Sequence, residues 1–543
     1  MDEIKARLKQ AIKNLYNLDF EPEITVSPAN IDADYSSNAP LKLAKELHKS
    51  PMEIAEALNG GLKAEISNPG FLNFRVSDDD LRLAIKNLCN NFEEGVRSTE
   101  YEGKTVICEF SDPNPFKVLH VGHLYTSIVG DSIGRLYEYA GAKVIRANFG
   151  GDVGLHVAKT MYALLTKGTD DLKIEDIAKC YIEGTALYDE DENAHEAITK
   201  LNKEIYEINA KDFHDSKLAE VYWRGRELSY EYFENFYATI GVKFDKYYPE
   251  STVAALGLKT VKEQLEKGVY EVSDGAVIFN GEKFGLHTRV FINREGVPTY
   301  ETKDVGLIFT KWQDWHFDKS IVITGSEQLD YMKVVLKSIE QYAPELVAKT
   351  SHLIHGLVKL PGGVKMSSRK GNFLKAVDVL EMVKDELKNE YNSTDEKVAL
   401  AATKYAFLKY KMGGNIIFDP KESVKMTGNS GPYLLYSAVR AKKILANCHN
   451  DQEMEYVYSI YEKNLAKKLL EYKGVLGECV SEIAPHKLAN YLYELAQEFS
   501  RFYENCPVAG AREEAERAKL VKVYLNTMTH GLNILGIEIP ESM

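Results

Sequence analysis

Cysteine is sparse and scattered. Cys89, Cys108, Cys180, Cys448, Cys479 and Cys506 form no C-x-x-C pair, which argues against both a disulfide framework and a zinc ribbon. No apolar run approaches the ~18 residues that a membrane span requires, so no membrane partner is expected. The opening stretch "MDEIKARLKQAIKNLY" repeats at helical spacing and lacks the apolar segment of a secretory signal, which leads to the expectation of a cytoplasmic protein. Positive charge is in deficit as well. A formal net charge of -14 argues against nonspecific adhesion to nucleic acid, because phosphate contacts need cations. A nucleic-acid partner would have to be met by local basic patches. Two exist, "KLPGGVKMSSRKGNFLK" (359–375) and "VRAKK" (439–443), and taken alone either could be a solvated surface. Internal repeats and low-complexity segments are also missing.

What is present is enough hydrophobic sequence for several cores: 44% of 543 residues, too long a chain for one domain. Three regimes follow one another. Residues 1–100 mix short helices ("PLKLAKELHKSPMEIAEALNG") with an extended run broken by the turn signal Asn68-Pro69-Gly70, as expected of an α+β domain. Residues 101–394 change to βα units. "KTVICEFS" reads as a strand, and Leu124, Ile128, Val129, Ile133, Leu136 and Tyr137 then recur at helical steps. "AKVIRANFG" reads as a second strand, so the order implies a Rossmann-like parallel sheet; later strands are expected at "GVPTYET" and "KSIVITG". A charged helical insertion near 170–240 interrupts this α/β domain. Residues 395–543 read as an all-α bundle. Leu488, Leu492, Leu495, Phe499 and Phe502 line one helix face after Pro485, and Gly536 is a stop signal.

The residues that bear chemistry begin at "SDPNPFKVLHVGHL". His120 and His123 flank Gly122 at a strand-to-helix junction, where helix N-termini offer N–H groups to phosphate. Gly122 admits close approach of a nucleotide, and the imidazoles can donate hydrogen bonds as charge develops. A pair of histidines that merely caps the helix is the competing explanation. Far downstream, Lys365-Met366-Ser367-Ser368-Arg369-Lys370-Gly371 combines cations and hydroxyls in a loop suited to a triphosphate, although alone it could be an ordinary basic loop.

H-x-G-H followed by K-M-S resembles the signature pair of class I aminoacyl-tRNA synthetases. The chain resembles the arginine-tRNA ligases over nearly its whole length, through "EFSDPNPFKVLHVGHL", "KMSSRKGN", "NSGPYLLYSAVRAKKIL", "PHKLANYLYELAQEFSRFYENCPV" and "NPGFLNF". The resemblance implies an ATP-dependent ligation of L-arginine to tRNA through an arginyl-adenylate, with AMP and pyrophosphate released. It implies that His120 and His123 hold ATP at the reacting phosphate while Lys365, Ser367 and Ser368 stabilise the leaving pyrophosphate. The second lysine of the general class I loop is replaced here by Ser368, and Lys117, three residues before His120, is the cation expected to substitute. Lys365 and Lys370 are the alternatives for that role. Gly122, Met366, Asp152 and Gly154 are expected on the ATP side. Asn114, Glu250, Tyr300, Asp304 and Gln328 are expected around arginine, where carboxylates can pair with a guanidinium and a ring can stack on it. Magnesium would accompany ATP, with no tightly bound metal. The resemblance further implies a tRNA-contacting domain at 1–100, a catalytic domain at 101–394 and an anticodon-binding domain at 395–543, with tRNA needed for activation itself; a monomer is expected. Three alternatives stand beside it: another class I specificity, a small-molecule nucleotidyltransferase, and a noncatalytic tRNA-binding paralogue.

Overall fold

The computed structural model describes residues 2–27, 31, 33–167, 172–362, 374–450, 452, 454 and 456–543. The chain divides into two compact units, one made of 1–96, 441–474 and 495–527, the other of 97–440, 475–494 and 528–543.

In the first unit, antiparallel strands Thr25–Val26, Tyr35–Ser37, Phe71–Phe74 and Glu65–Ser67 lie side by side in that order. Helices Asp2–Tyr16, Ala39–Leu47 and Pro51–Asn59 bury Leu8, Ile12, Leu43 and Ile54 against Leu72. Pro51–Asn59 starts where a capping helix should: Ser50 accepts from the Glu53 amide, and Glu53 returns the bond to Ser50. Asn68-Pro69-Gly70 makes the expected turn, here between strands Glu65–Ser67 and Phe71–Phe74, with Gly70 at φ +138° pressed on Pro51. The C-terminal residues of this unit centre on Glu462, a buried carboxylate held by Arg517 at 2.9 Å and by the Tyr456 hydroxyl.

The second unit is built on a five-stranded, all-parallel sheet in the order Thr350–His355, Lys319–Gly325, Thr105–Glu109, Lys143–Gly150, Lys246–Pro249. Its strands are short β-branched runs covered by helices, so Val106, Ile107, Ile145, Ile321 and Ile323 are buried. The chain starts at the middle strand, runs outward through two more, then crosses to the other side. That reversal opens a crevice beyond the carboxyl ends of Thr105–Glu109 and Lys319–Gly325. The insertion is helical as expected, made of Ile174–Glu190, Glu192–Ala210 and Lys217–Thr239. A second insertion was not legible: the small antiparallel sheet of Glu271–Ser273, Ala276–Phe279 and Arg289–Ile292.

One expected strand is absent. "GVPTYET" is a return turn, with Gly296 at φ +77°, and then the start of the Tyr300–Trp315 helix. The Thr299 hydroxyl donates to the carbonyls of Val290 and Phe291, which ends extended pairing there and turns the chain into the helix. The C-terminal helix Pro485–Asn505 buries Leu488, Leu492, Leu495, Phe499 and Phe502, and Gly536 takes φ +68° just past Glu514–Ile534. No helix of the described residues is long and apolar enough to cross a membrane.

Candidate active site

The crevice holds a cavity of about 680 Å3, an ample volume for a nucleotide with a small substrate. Its floor is the loop that leaves Thr105–Glu109. Ser111, Asp112 and Phe116 all take left-handed backbone (φ 72°, 50° and 64°), a conformation that costs a side-chain-bearing residue about 1 kcal/mol or more. Each is held by a specific partner. Ser111 Oγ lies 2.8 Å from the Tyr237 hydroxyl, Asp112 accepts from the Phe149 amide at 2.8 Å, and the Phe116 amide donates to Ser229 Oγ at 3.0 Å. The Phe116 ring fills a site under Gly225, where a Cβ would come within 2.5 Å of it. Helix Lys217–Thr239 of the insertion therefore supplies the partners of Ser111 and Phe116, and strand Lys143–Gly150 that of Asp112.

The loop delivers His120 to the N-cap of helix Val121–Tyr139. His120 Nδ1 accepts from the Gly122 amide at 3.1 Å, and His123 Nδ1 accepts from the His120 amide at 3.1 Å, a reciprocal cap made by two stacked imidazoles 3.7 Å apart. The capping explanation is thus correct, and the same rings line the cavity. Because Nδ1 is an acceptor in both, the proton of each neutral ring sits on Nε2. Burial holds both neutral: it pushes the His120 pKa down to about 4, with His355 and Lys117 adding to it, and drives His123 well below the usual range. Two neutral N–H donors without ionic cost suit an anionic oxygen. Gly122 belongs to the device, since a Cβ there would lie 2.8 Å from His120 Cε1.

Across the crevice, His355 closes the end of strand Thr350–His355, its Nδ1 2.8 Å from the Gly356 carbonyl. Residues 363–373 lie outside the described structure, and with them Lys365, Met366, Ser367, Ser368 and Lys370. Just beyond, Leu374 accepts from the Val121 amide at 2.9 Å, Ala376 donates to Leu119 at 3.0 Å, and Lys375 bridges to His120.

The other end of the cavity is acidic. Asp304, in the first turns of Tyr300–Trp315, accepts the Tyr331 hydroxyl; burial raises its pKa to about 8, against the pull of that bond and with Glu109 and Glu250 adding to it. Glu250, first residue of helix Glu250–Glu266, meets Lys303 Nζ at 2.5 Å, both side chains almost wholly buried. Its pKa is raised by burial, which Lys303 opposes. Asn114 accepts from the Gly151 amide at 2.7 Å, leaving its NH2 group to donate, and Gln328 ends a short 3-10 turn on the cavity wall. Tyr300 lines the rim, 58% exposed.

Three sequence-derived residues are placed otherwise. Asp152 does not face the cavity: fully buried, it is saturated by Arg226 (3.0 Å), the Ser251 amide (3.0 Å) and the Ser251 hydroxyl (2.7 Å), tying three segments together. Gly154 is likewise off the lining; at φ +120° its missing Cβ faces the Tyr206 hydroxyl 3.8 Å away. Lys117 lies beside the histidines rather than in the cavity, its Nζ 4.5 Å above the ring of Tyr181 on the insertion. Conversely, Glu109, Lys303, Lys311, Tyr331 and His355 were missed. Glu109 is paired with Lys311 at 2.5 Å from 202 positions away, a pairing with no local signal. Lys303 alone had one, lying three residues after Tyr300 on the same helix face.

The family model described as tRNA synthetases class I (R), catalytic domain, matches residues 85–419, more than half of the chain. The chain belongs to this class I synthetase family. Two further models flank it, the arginyl tRNA synthetase N terminal domain at 2–76 and the DALR anticodon binding domain at 434–543. Among curated relatives of this synthetase, the arginine-tRNA ligase of Crocosphaera subtropica is 29% identical over 97% of the chain and 96% of its own length. That of Phocaeicola vulgatus is 26% identical over 100% and 99%. In fold the synthetase is like the solved arginyl-tRNA synthetases of Thermus thermophilus (TM-score 0.81, 24% identity, 100% of both chains) and Plasmodium falciparum (TM-score 0.82, 22% identity, 100% and 99%). Among the described residues no group of three or more His, Cys, Asp or Glu side chains is placed to hold a metal ion.

Proposed function

We infer that the protein joins arginine to tRNA in two steps, adenylate formation from ATP and transfer to the terminal ribose of an arginine-accepting tRNA. The observation that carries the reading is one cavity with a neutral Nε2–H pair at a helix N-terminus at one end and a buried Asp304–Tyr331 couple at the other. The first end suits phosphate and the second a guanidinium.

In this reading His120 and His123 donate from Nε2 to oxygens of the α-phosphate as the arginine carboxylate attacks it and pyrophosphate leaves. Charge builds on those oxygens in the transition state, where fixed donors are most effective. Gly122 keeps the backbone close to ATP. Lys365, Met366, Ser367 and Ser368 belong to the segment that would meet the leaving pyrophosphate, with magnesium entering as part of the ATP substrate. Lys117 would leave the Tyr181 ring for the same phosphates. Asp304 and Glu250 would pair with the guanidinium, Tyr300 would cover it, and Asn114 and Gln328 would hold the α-amino and carboxylate end. Residues 1–100 and 395–543 would carry the tRNA contacts, the latter including the anticodon. The enzyme is taken to work as a cytoplasmic monomer.

Pyrophosphate exchange with arginine, with and without tRNA, tests the reading. Exchange that needs both arginine and tRNA is expected; none under either condition, from folded protein, would favour a tRNA-binding paralogue. Lys117→Ala should lower adenylate formation at least tenfold without loss of the folded state, and unchanged exchange in that variant removes Lys117 from the mechanism.

A further inference from the structure

Lys303 is a deeply buried cation at the acidic end of the cavity, and the reaction as described gives it no task. Its ammonium sits 2.5 Å from Glu250, with 3% of the side chain exposed. Two rings flank it, Tyr300 at 5.1 Å and Tyr206 at 5.5 Å from its Nζ to the ring centres. Tyr206 comes from insertion helix Glu192–Ala210, and its hydroxyl stands over Gly154, 3.8 Å from where a Cβ would lie. The remaining Glu250 oxygen faces the Gly151 backbone beside Asn114 Oδ1; a Cβ on Gly151 would meet the two at 3.1 and 3.0 Å. Glu250 is thus clamped on one oxygen and open on the other.

A buried carboxylate without a cation takes up a proton. Two such carboxylates, Asp304 and Glu250, facing one cavity repel each other's ionisation as well. With Lys303 in place, and Asp304 giving up its proton as arginine binds, the trio carries one net negative charge, which matches one guanidinium.

We propose that Lys303 is a positioning residue for arginine recognition: held between Tyr206 of the insertion and Tyr300, it keeps Glu250 ionised and fixed so that its second oxygen can receive the guanidinium. The insertion then has a defined task, since it supplies one wall of the lysine's site. The proposal rests on the arginine-ligase reading.

The test is tRNA-dependent, arginine-dependent pyrophosphate exchange by the full chain and its variants Glu250→Gln, Lys303→Met, Lys303→Arg, Tyr206→Phe and the double variant Glu250→Gln/Lys303→Met. Lys303→Met should raise the KM for arginine about tenfold or more while the KM for ATP stays within about twofold. Lys303→Arg should recover most of the loss. The deciding result is the double variant: because Lys303 acts through Glu250, its arginine KM should match that of Glu250→Gln alone within about threefold. Multiplied single effects, or equal rises in the KM for ATP and for arginine, overturn the proposal in favour of a packing role. If Lys303→Met does not fold, the cycle of Tyr206→Phe with Glu250→Gln carries the same logic; Tyr206→Phe should raise the arginine KM a few-fold in the parent and not in Glu250→Gln, and an equal rise in both backgrounds overturns it. Wild-type protein without arginine-dependent exchange refutes the functional reading itself, a failure visible before any variant is made.

Discussion

At the scale of single residues, the site works by keeping titratable groups away from their usual charge states. Asp304 has its pKa raised to about 8 by burial, so at pH 7 the empty site holds it mostly protonated. On the proposed role of Asp304 as guanidinium partner the carboxylate is required, so arginine binding must expel that proton. The sign follows: arginine affinity rises with pH up to about 8 and then levels, falling about tenfold per unit below. Calorimetry in two buffers of different ionisation enthalpy at pH 7 should register close to one proton released per arginine bound; Asp304→Asn should abolish the release along with tight binding. On the proposed function His120 does two jobs with two different atoms, Nδ1 for the cap and Nε2 for phosphate. Asparagine places an acceptor where Nδ1 is, and glutamine places a donor nearer to Nε2. His120→Asn should therefore keep thermal stability while losing at least tenfold in adenylate formation, and His120→Gln should lose about 1 kcal/mol of stability with the smaller kinetic loss. Equal kinetic losses for both in a stopped-flow assay would reject the division of labour.

At the scale of elements, the insertion behaves as a frame for the catalytic loop. Helix Lys217–Thr239 holds Ser111 through Tyr237, Phe116 through Ser229, and Asp152 through Arg226. Asp152→Asn leaves Arg226, 24% exposed, short of its carboxylate, a loss of about 2–3 kcal/mol at most given partial solvent screening. The thermal transition should drop by several degrees while the KM for ATP, measured below it, stays within about twofold; a selective rise in the ATP KM would return Asp152 to the ATP side. The same elements separate what was legible from what was not. Strands at Thr105–Glu109, Lys143–Gly150 and Lys319–Gly325 announce themselves as β-branched runs, and the His120–His123 junction as a motif at a helix start. "GVPTYET" misled because Thr, Val and Tyr carry a strand's composition, whereas Gly296, Pro298 and the Thr299 hydroxyl set the backbone. Asp152 misled because a carboxylate in a glycine-rich turn looks the same in sequence whether it meets a ligand or Ser251. Glu109–Lys311 and Glu250–Lys303 join residues 202 and 53 positions apart, and nothing local in the chain marks such pairing.

At the scale of the whole molecule, a net charge of -14 sets the terms on which a polyanion can be bound. Binding must be local, and helix Gly431–Ala446, with Arg440, Lys442 and Lys443 inside the DALR region, is one candidate. Lys443→Ala should raise the KM for tRNA several-fold and reduce the slope of log affinity against log salt by about 0.7–0.9, as expected when one fewer phosphate is neutralised by the protein. A filter-binding series over salt reads both quantities. The sheet order has a further meaning in time. Thr105–Glu109 occupies the middle of the sheet, yet its neighbour Lys319–Gly325 is made roughly 200 residues later, about 10–40 s at ribosomal speeds. Throughout that interval a growing chain carries the central strand with one side unpaired and Glu109 without Lys311, and His120 still lacks its neighbours around Leu374. ATP can therefore find a finished pocket only on a polypeptide that is already most of the way through synthesis.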